Sequence, residues 1–214
     1  MFVGHYAAAL AAKAAEPRAP LWAYVIGCQA VDVGWAALVM ADVERFRFDE
    51  TLPGSPLDLH FMPFTHSLPA ALAWSAAAIV LARAALRVPW RPAAWIGAVV
   101  FSHWLLDFLV HRPDLELWPG GVKVGLGLWN YPVPEQALEI GLLGMACAAL
   151  AARLKTLSRA AWPAIAFMAF LVALQIVGMT LPAPSSTSAF ALNALIVYLL
   201  AGGVAWLMER GARG

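Results

Sequence analysis

Charge is what this sequence has least of. Of its 214 residues, 14 are Lys or Arg and 13 are Asp or Glu, together 13%, roughly half of what a soluble domain carries. The net charge is +1, and no stretch interleaves basic residues with aromatics, which removes nucleic acid as a partner. Cysteine is nearly absent. Cys28 and Cys147 each lie inside an apolar run, form no CxxC and read as packing residues, which excludes a redox pair. GxSxG, HExxH and a Walker loop are missing, and "GLGLWN" at 125–130 fails the last position of GxGxxG. The N-terminal "MFVGHYAAALAAKAAEPRAP" lacks the basic start of a signal peptide, because Lys13 and Arg18 follow its apolar run. It is expected to be a retained helix.

What is present is hydrophobic sequence, 62% of the chain. Apolar segments at 21–40, 66–86, 92–111, 135–152, 160–181 and 188–208 each approach the ~20 residues a bilayer requires, and a shorter one covers 2–15. They predict an all-α, polytopic integral membrane bundle of six to seven transmembrane helices in one domain. Residues 1–152 carry the polar content, while the helices from 153 to 214 read as scaffold. Proline and charge mark the breaks: "VPWRP" at 88–92, "RPDLELWPGG" at 112–121, "NYPVP" at 130–134 and "LPAPSSTS" at 181–188. The stretch 41–58 reads as a solvated loop, with a lid over the site as the second reading. Under alternating topology, Lys13, Arg18, Arg83, Arg87, Arg91, Arg153, Lys155, Arg159, Arg210 and Arg213 share one side. Arg45, Arg47, Arg112 and Lys123 fall on the other. The split predicts a bacterial inner membrane protein with its C-terminus in the cytoplasm and its N-terminus outside, provided the first helix crosses.

Against this background "FSHWLLDFLVH" at 101–111 is out of place. His103, Asp107 and His111 recur every four residues, so successive ones sit about 40° apart on one helix face. His5, His60 and His66 fall on the same predicted outer side, and two further acids, Asp32 and Glu139, lie inside apolar segments. An unpaired carboxylate at the centre of a membrane helix costs about 2.5–3.5 kcal/mol even on the lenient insertion scale. A shared metal ion satisfies several such groups at once. Zinc suits a mixture of imidazole and carboxylate best, and manganese or iron tolerates it. Plainer roles fit other residues. Glu135 answers a helix dipole, Thr65 and Ser67 cap a helix ahead of Pro69, and Trp118, Trp129 and Tyr131 form an interfacial belt.

The combination of Gly4-His5, Asp32, "HFMPFTHSL" (60–68), "SHWLLD" (102–107), "LWP" (117–119) and Glu139 resembles the YdjM-like family of predicted membrane-bound metal-dependent hydrolases. The resemblance covers about residues 1–140 and implies metal-ligand roles for His5, Asp32, His60, His66, His103, Asp107 and Glu139. More remotely, the spacing is similar to that of the zinc-dependent phospholipase C and single-strand nuclease superfamily. The chain departs from the family pattern in two places. "QAVDVGW" lacks one acid and one histidine of a PDxDH-type segment, and Phe61 stands where the pattern has arginine. Arg112 or Lys123 is the expected substitute for that phosphate clamp.

These readings converge on an outer-facing metal-dependent hydrolase, with a lipid or lipid-linked phosphoester as its substrate class. His111 is expected as a third ligand from its helix or an outer-shell base, and Glu139 or Asp107 as general base. The rival reading is a metal or proton transporter using the His/Asp cluster as a relay. A purely structural or regulatory membrane protein is the third.

Overall fold

Prolines start five of the eight helices, at breaks the sequence predicts. The computed structural model describes residues 1–182 and 184–211; Arg213, one of the ten cations used for orientation, lies outside them. Eight helices are described: α1 (Val3–Ala15), α2 (Leu21–Cys28), α3 (Ala30–Met40), α4 (Leu68–Ala84), α5 (Trp90–Val110), α6 (Pro132–Thr156), α7 (Trp162–Thr180) and α8 (Thr187–Gly211). Pro20 and Pro89 directly precede α2 and α5, and prolines occupy the first turn of α4, α6 and α7. Proline costs nothing there, because the first-turn N–H groups have no helical acceptor and its fixed φ suits the helix.

The expected six to seven spans reduce to four or five. Helices α5, α6, α7 and α8 are long and apolar enough to cross a membrane, and α2 and α3 make a fifth if their bent pair counts as one. At 13 residues, α1 is about 20 Å long, short of the ~30 Å hydrocarbon core. Its N-terminal end is buried at the polar cluster, with Met1 N 3.2 Å from Asp107 Oδ1, so the condition that the first helix crosses, on which an outside N-terminus depended, is not met by this helix. Helix α4, at 17 residues, is also below the span length. In α6, α7 and α8 only 28% of the apolar window is buried within the protein. The remainder is the outward apolar surface that a lipid-facing helix requires.

Two small antiparallel sheets accompany the expected helical bundle. Strand β1 (Arg45–Phe48) pairs with β2 (Leu57–Phe61), and β3 (Leu115–Glu116) with β4 (Lys123–Val124). The loop expected at 41–58 is therefore largely a hairpin. "RFRF" alternates as a strand does, exposing Arg45 and Arg47 while Phe46 is buried against Trp35 at a ring distance of 5.2 Å. Both hairpins lie at one end of the bundle, since they join α3 to α4 and α5 to α6.

Two apolar cores result. One gathers Tyr6, Leu10, Tyr24, Leu143, Phe167 and Leu171 from α1, α2, α6 and α7. The other, beneath the hairpins, contains Trp35, Phe46, Leu59, Trp104 and Leu115. Helix α5 runs through both, giving Val99 to the first and Trp104 to the second. It packs closely on α4 because Gly97 presents no side chain: a Cβ there would overlap Ile79, and Ser75 Oγ donates to the Gly97 carbonyl at 2.7 Å. The polar cluster lies where the two cores meet.

Candidate metal centre

The face of α5 predicted to carry His103, Asp107 and His111 is the centre of the site. His103 and Asp107 are buried in the helix, and His111 is its C-cap, also buried. Asp107 reaches four imidazoles. Its Oδ1 lies 3.1 Å from His5 Nε2 and 3.3 Å from His111 Nε2, and its Oδ2 lies 3.1 Å from His103 Nε2 and 3.6 Å from His66 Nε2. Asp32 Oδ1 adds contacts of 3.3 Å to His66 and 3.4 Å to His103. His5, His103 and Asp107 form one triad whose ligand atoms lie within 4.8 Å of one another; Asp32, His66 and His103 form a second. His5 stacks flat on His103 at 3.8 Å between ring centres. The Met1 backbone nitrogen lies 3.2 Å from Asp107 Oδ1.

Each donor arrives through a local cause. Helix α1 delivers His5 because Glu139 of α6 accepts from the backbone N–H groups of Phe2 and Gly4 at 2.9–3.1 Å. These are first-turn donors with no helical partner, so Glu139 caps α1 from a neighbouring helix. Asp32 is not mid-helix, as its apolar flanks suggest. The chain breaks at Gln29 with a bend of 49°, which places Asp32 in the first turn of α3, at the positive end of its dipole. The break also leaves Cys28 at the end of α2, and its carbonyl accepts from His103 Nδ1 at 2.8 Å. His66 precedes α4, whose N-cap is Ser67, as expected. Thr65 does not cap: its hydroxyl bonds Glu44 Oε2 and lies 2.8 Å from His66 Nδ1. His111 Nδ1 is 2.9 Å from Asp114 Oδ1, and its ring stacks on Trp129 at 4.0 Å. That contact takes Trp129 out of the expected interfacial belt, whereas Trp118 and Tyr131 are exposed. Gly125 lets the following loop close over this point, because a Cβ there would overlap the carbonyls of His111 and Arg112.

The remaining expected site residues lie elsewhere. His60 is exposed on β2, and its ring nitrogen contacts the Asp58 carbonyl. Arg112 is tied down by the loops. It donates to the carbonyls of Pro53, Ser55 and Leu57 and to Asn130 Oδ1, which leaves little of the guanidinium for a substrate. Lys123 Nζ donates to the His60 carbonyl at 2.7 Å. Three contributors were not anticipated. Asp114 was legible in "HRPD", three residues after His111. Tyr198 of α8, a helix expected to be scaffold, donates to Asp32 Oδ2 at 3.0 Å. Glu44, buried at 1% exposure, is the third. Burial pushes its carboxyl above the ordinary value of 4.5, against the opposing pull of Thr65, His66 and two backbone N–H groups.

Apart from the Met1 nitrogen on Asp107 Oδ1 and the Tyr198 hydroxyl on Asp32 Oδ2, the two carboxylates face imidazoles. A carbonyl or carboxylate can only accept, so Cys28 and Asp114 place protons on the Nδ1 atoms of His103 and His111. Neutral imidazoles of that tautomer direct Nε2 lone pairs at carboxylate oxygens. His5 Nε2, His103 Nε2 and Asp107 Oδ2 are buried and have no hydrogen-bond partner. Among the described residues, no lysine or arginine pairs with Asp32 or Asp107. Ligands around a tetrahedral zinc, with bonds of about 2.0 Å, stand about 3.3 Å apart. The observed 3.1–3.4 Å separations across the two triads match that spacing.

A His/carboxylate cluster of this kind, enclosed by helices of membrane-spanning length, defines an integral membrane protein with a candidate metal centre. The chain belongs to the YdjM inner membrane protein family, whose model matches residues 1–206. The match extends well beyond the 140 residues that carry the motifs and takes in α7 and most of α8. No curated protein and no solved structure matches the chain.

Proposed function

We propose that His5, Asp32, His66, His103 and Asp107 hold a divalent cation, zinc by preference, and that the protein is a membrane-embedded metal-dependent hydrolase. The observation that carries this reading is the convergence of the orphaned His5 Nε2, His103 Nε2 and Asp107 Oδ2 in a buried site where, among the described residues, no lysine or arginine pairs with Asp32 or Asp107. A divalent charge balances these two carboxylates, and the donor set suits zinc, with manganese or iron as tolerated substitutes. When bound, such a cation supplies Lewis-acid polarisation of a phosphoryl or carbonyl oxygen.

The chain's own groups supply the remainder. His111 lies outside both triads. With its Nδ1–H held by Asp114, it takes the proton of the attacking water at Nε2, and Asp114 stabilises the imidazolium that results. Glu139, committed to the backbone of α1, positions His5 and takes no proton. Asp32 and Asp114 have side chains 13% exposed, against 4% or less for the other charged groups of the cluster, so they mark the entry. Asp114 sits at the hairpin end and Asp32 among the membrane-length helices. A substrate with its reactive group at the bilayer surface fits such an entry, and a lipid or lipid-linked phosphoester is the proposed class. The hairpin end is the outer side on the charge distribution.

Elemental analysis of purified protein, followed by a screen of phospholipids and polyprenyl phosphates with zinc or manganese supplied, tests the reading. His103→Ala and Asp107→Ala each lose the metal, while His111→Ala keeps most of it and loses turnover. Full metal occupancy in His103→Ala would overturn the site. Cleavage of amides or carboxylic esters alone would move the substrate class, and transport of metal or protons across liposomes without hydrolysis would replace the enzyme by a transporter.

A further inference from the structure

Glu44 has no place in any motif, yet it is among the most deeply buried charged groups of the molecule. It lies between α3 and β1, twenty residues before the segment it binds. Its Oε1 accepts from the backbone N–H groups of Phe64 and Thr65 at 2.7 and 3.0 Å, and its Oε2 takes the Thr65 hydroxyl at 2.6 Å. The Thr65 oxygen lies 2.8 Å from His66 Nδ1, and both residues are buried. Three groups therefore stand in line, and the far end of the line is His66 Nε2, 3.3 Å from Asp32 and 3.6 Å from Asp107.

A hydroxyl has one proton to give. A carboxylate has none, so the Thr65 proton points to Glu44. The Thr65 oxygen then accepts, and the proton on that side of the imidazole is on Nδ1. Nε2 is left as a lone pair facing the metal-binding carboxylates. We propose that Glu44, acting through Thr65, selects the His66 tautomer that can ligate a metal, and is thereby a positioning residue of the metal centre. This rests on the metal reading above. It goes beyond it by assigning a role to two residues outside the ligand set, in the manner of outer-sphere partners that fix a ligating histidine.

Exchanging oxygen for nitrogen at Glu44 reverses the line. In Glu44→Gln, the amide oxygen still serves Phe64 and Thr65 N–H, but its NH2 now donates to Thr65. The hydroxyl turns to His66, Nδ1 becomes an acceptor, and the proton moves to Nε2, where it blocks coordination. Thr65→Val removes the connection, and Thr65→Ser retains it.

The test uses full-length protein in detergent at about pH 8, well on the alkaline side of the ordinary carboxylate range, with zinc as the probe against a chromophoric chelator. Glu44→Gln and Thr65→Val are expected to weaken zinc binding by roughly 10- to 100-fold at unchanged stoichiometry, while Thr65→Ser stays near wild type. In zinc-free protein with 15N-labelled histidine, His66 should show the Nδ1–H form in wild type and the Nε2–H form in Glu44→Gln. An unchanged tautomer in Glu44→Gln, or wild-type zinc affinity in both Glu44→Gln and Thr65→Val, overturns the proposal. Where Glu44→Gln does not fold, equal zinc affinity in the Val and Ser variants of Thr65 overturns it. Wild-type protein that takes up no zinc but shows the expected tautomers keeps the relay and removes the metal reading, so the two failures are distinguishable.

Discussion

His60 and His66 sit six residues apart in one motif-bearing stretch, but only His66 faces Asp32 and Asp107. His60 lies on a strand with its side chain in the open, since the alternation that buries Leu59 turns its neighbour outward. His60→Ala should therefore leave metal content unchanged by elemental analysis, in contrast to His66→Ala, which should lose it. A loss on His60→Ala would mean that the hairpin closes over the site. Tyr198 provides a second test at this scale. Its hydroxyl on Asp32 Oδ2 orients Oδ1 towards His66 and His103. Tyr198→Phe removes that bond with little change in shape, and zinc affinity should fall by about 10-fold in a chelator competition.

At the scale of elements, two carboxylates hold α1 in place, one at each end. Glu139 caps its N-terminus from α6, and Glu139→Gln exchanges one acceptor for a donor facing backbone N–H groups. The expected cost is about 1–3 kcal/mol, read as a lower thermal midpoint, with zinc stoichiometry retained if the residue only positions His5. Glu16 follows the C-terminus. The Arg18 guanidinium grips both its oxygens at 2.7 Å, and Arg91 adds a contact at 3.3 Å. Arg18 pulls its carboxyl from the ordinary 4.5 down to about 2. A depressed carboxylate favours the folded state above its unfolded pKa, and that contribution is lost as the pH falls through the folded value. The difference in melting midpoint between wild type and Glu16→Gln should thus be greatest above about pH 5 and shrink as the pH is lowered towards about 2. A difference that grows with acid would contradict the pairing.

For the whole molecule the distinguishing property is its two unlike ends. Both hairpins and the α7–α8 turn occupy one end, while the turns at 16–20, 85–89 and 157–161, which carry Arg18, Arg87 and Arg159 and are flanked by Lys13, Arg83, Arg91, Arg153 and Lys155 at the helix ends, occupy the other. On the charge distribution, cysteines placed at exposed Glu50 and Ser185 should react with an impermeant thiol reagent on intact cells, and one at exposed Arg159 should not. Reversed labelling would turn the metal site towards the cytoplasm and change every inference about substrate access.

The helical membrane class, the proline-marked helix starts and the His103–Asp107–His111 face are legible in the residues alone. These are properties of composition and of a 3.6-residue period, which any window of the chain displays. The residues also show that buried ionisable groups require one another, because lipid offers them no other partner. The sequence suggested more spans than the four or five described, because hydropathy does not show that a 13-residue helix starts at the buried cluster or that a chain bends at Gln29 within an unbroken apolar run. Only the tertiary structure decided which groups meet. Glu139 capping α1, Arg112 spent on loop carbonyls, Tyr198 on Asp32 and Glu44 behind Thr65 all join positions 21 to 166 residues apart. Local patterns do not encode such pairs. They are chosen when packing brings most buried donors to an acceptor and leaves His5 Nε2, His103 Nε2 and Asp107 Oδ2 with none.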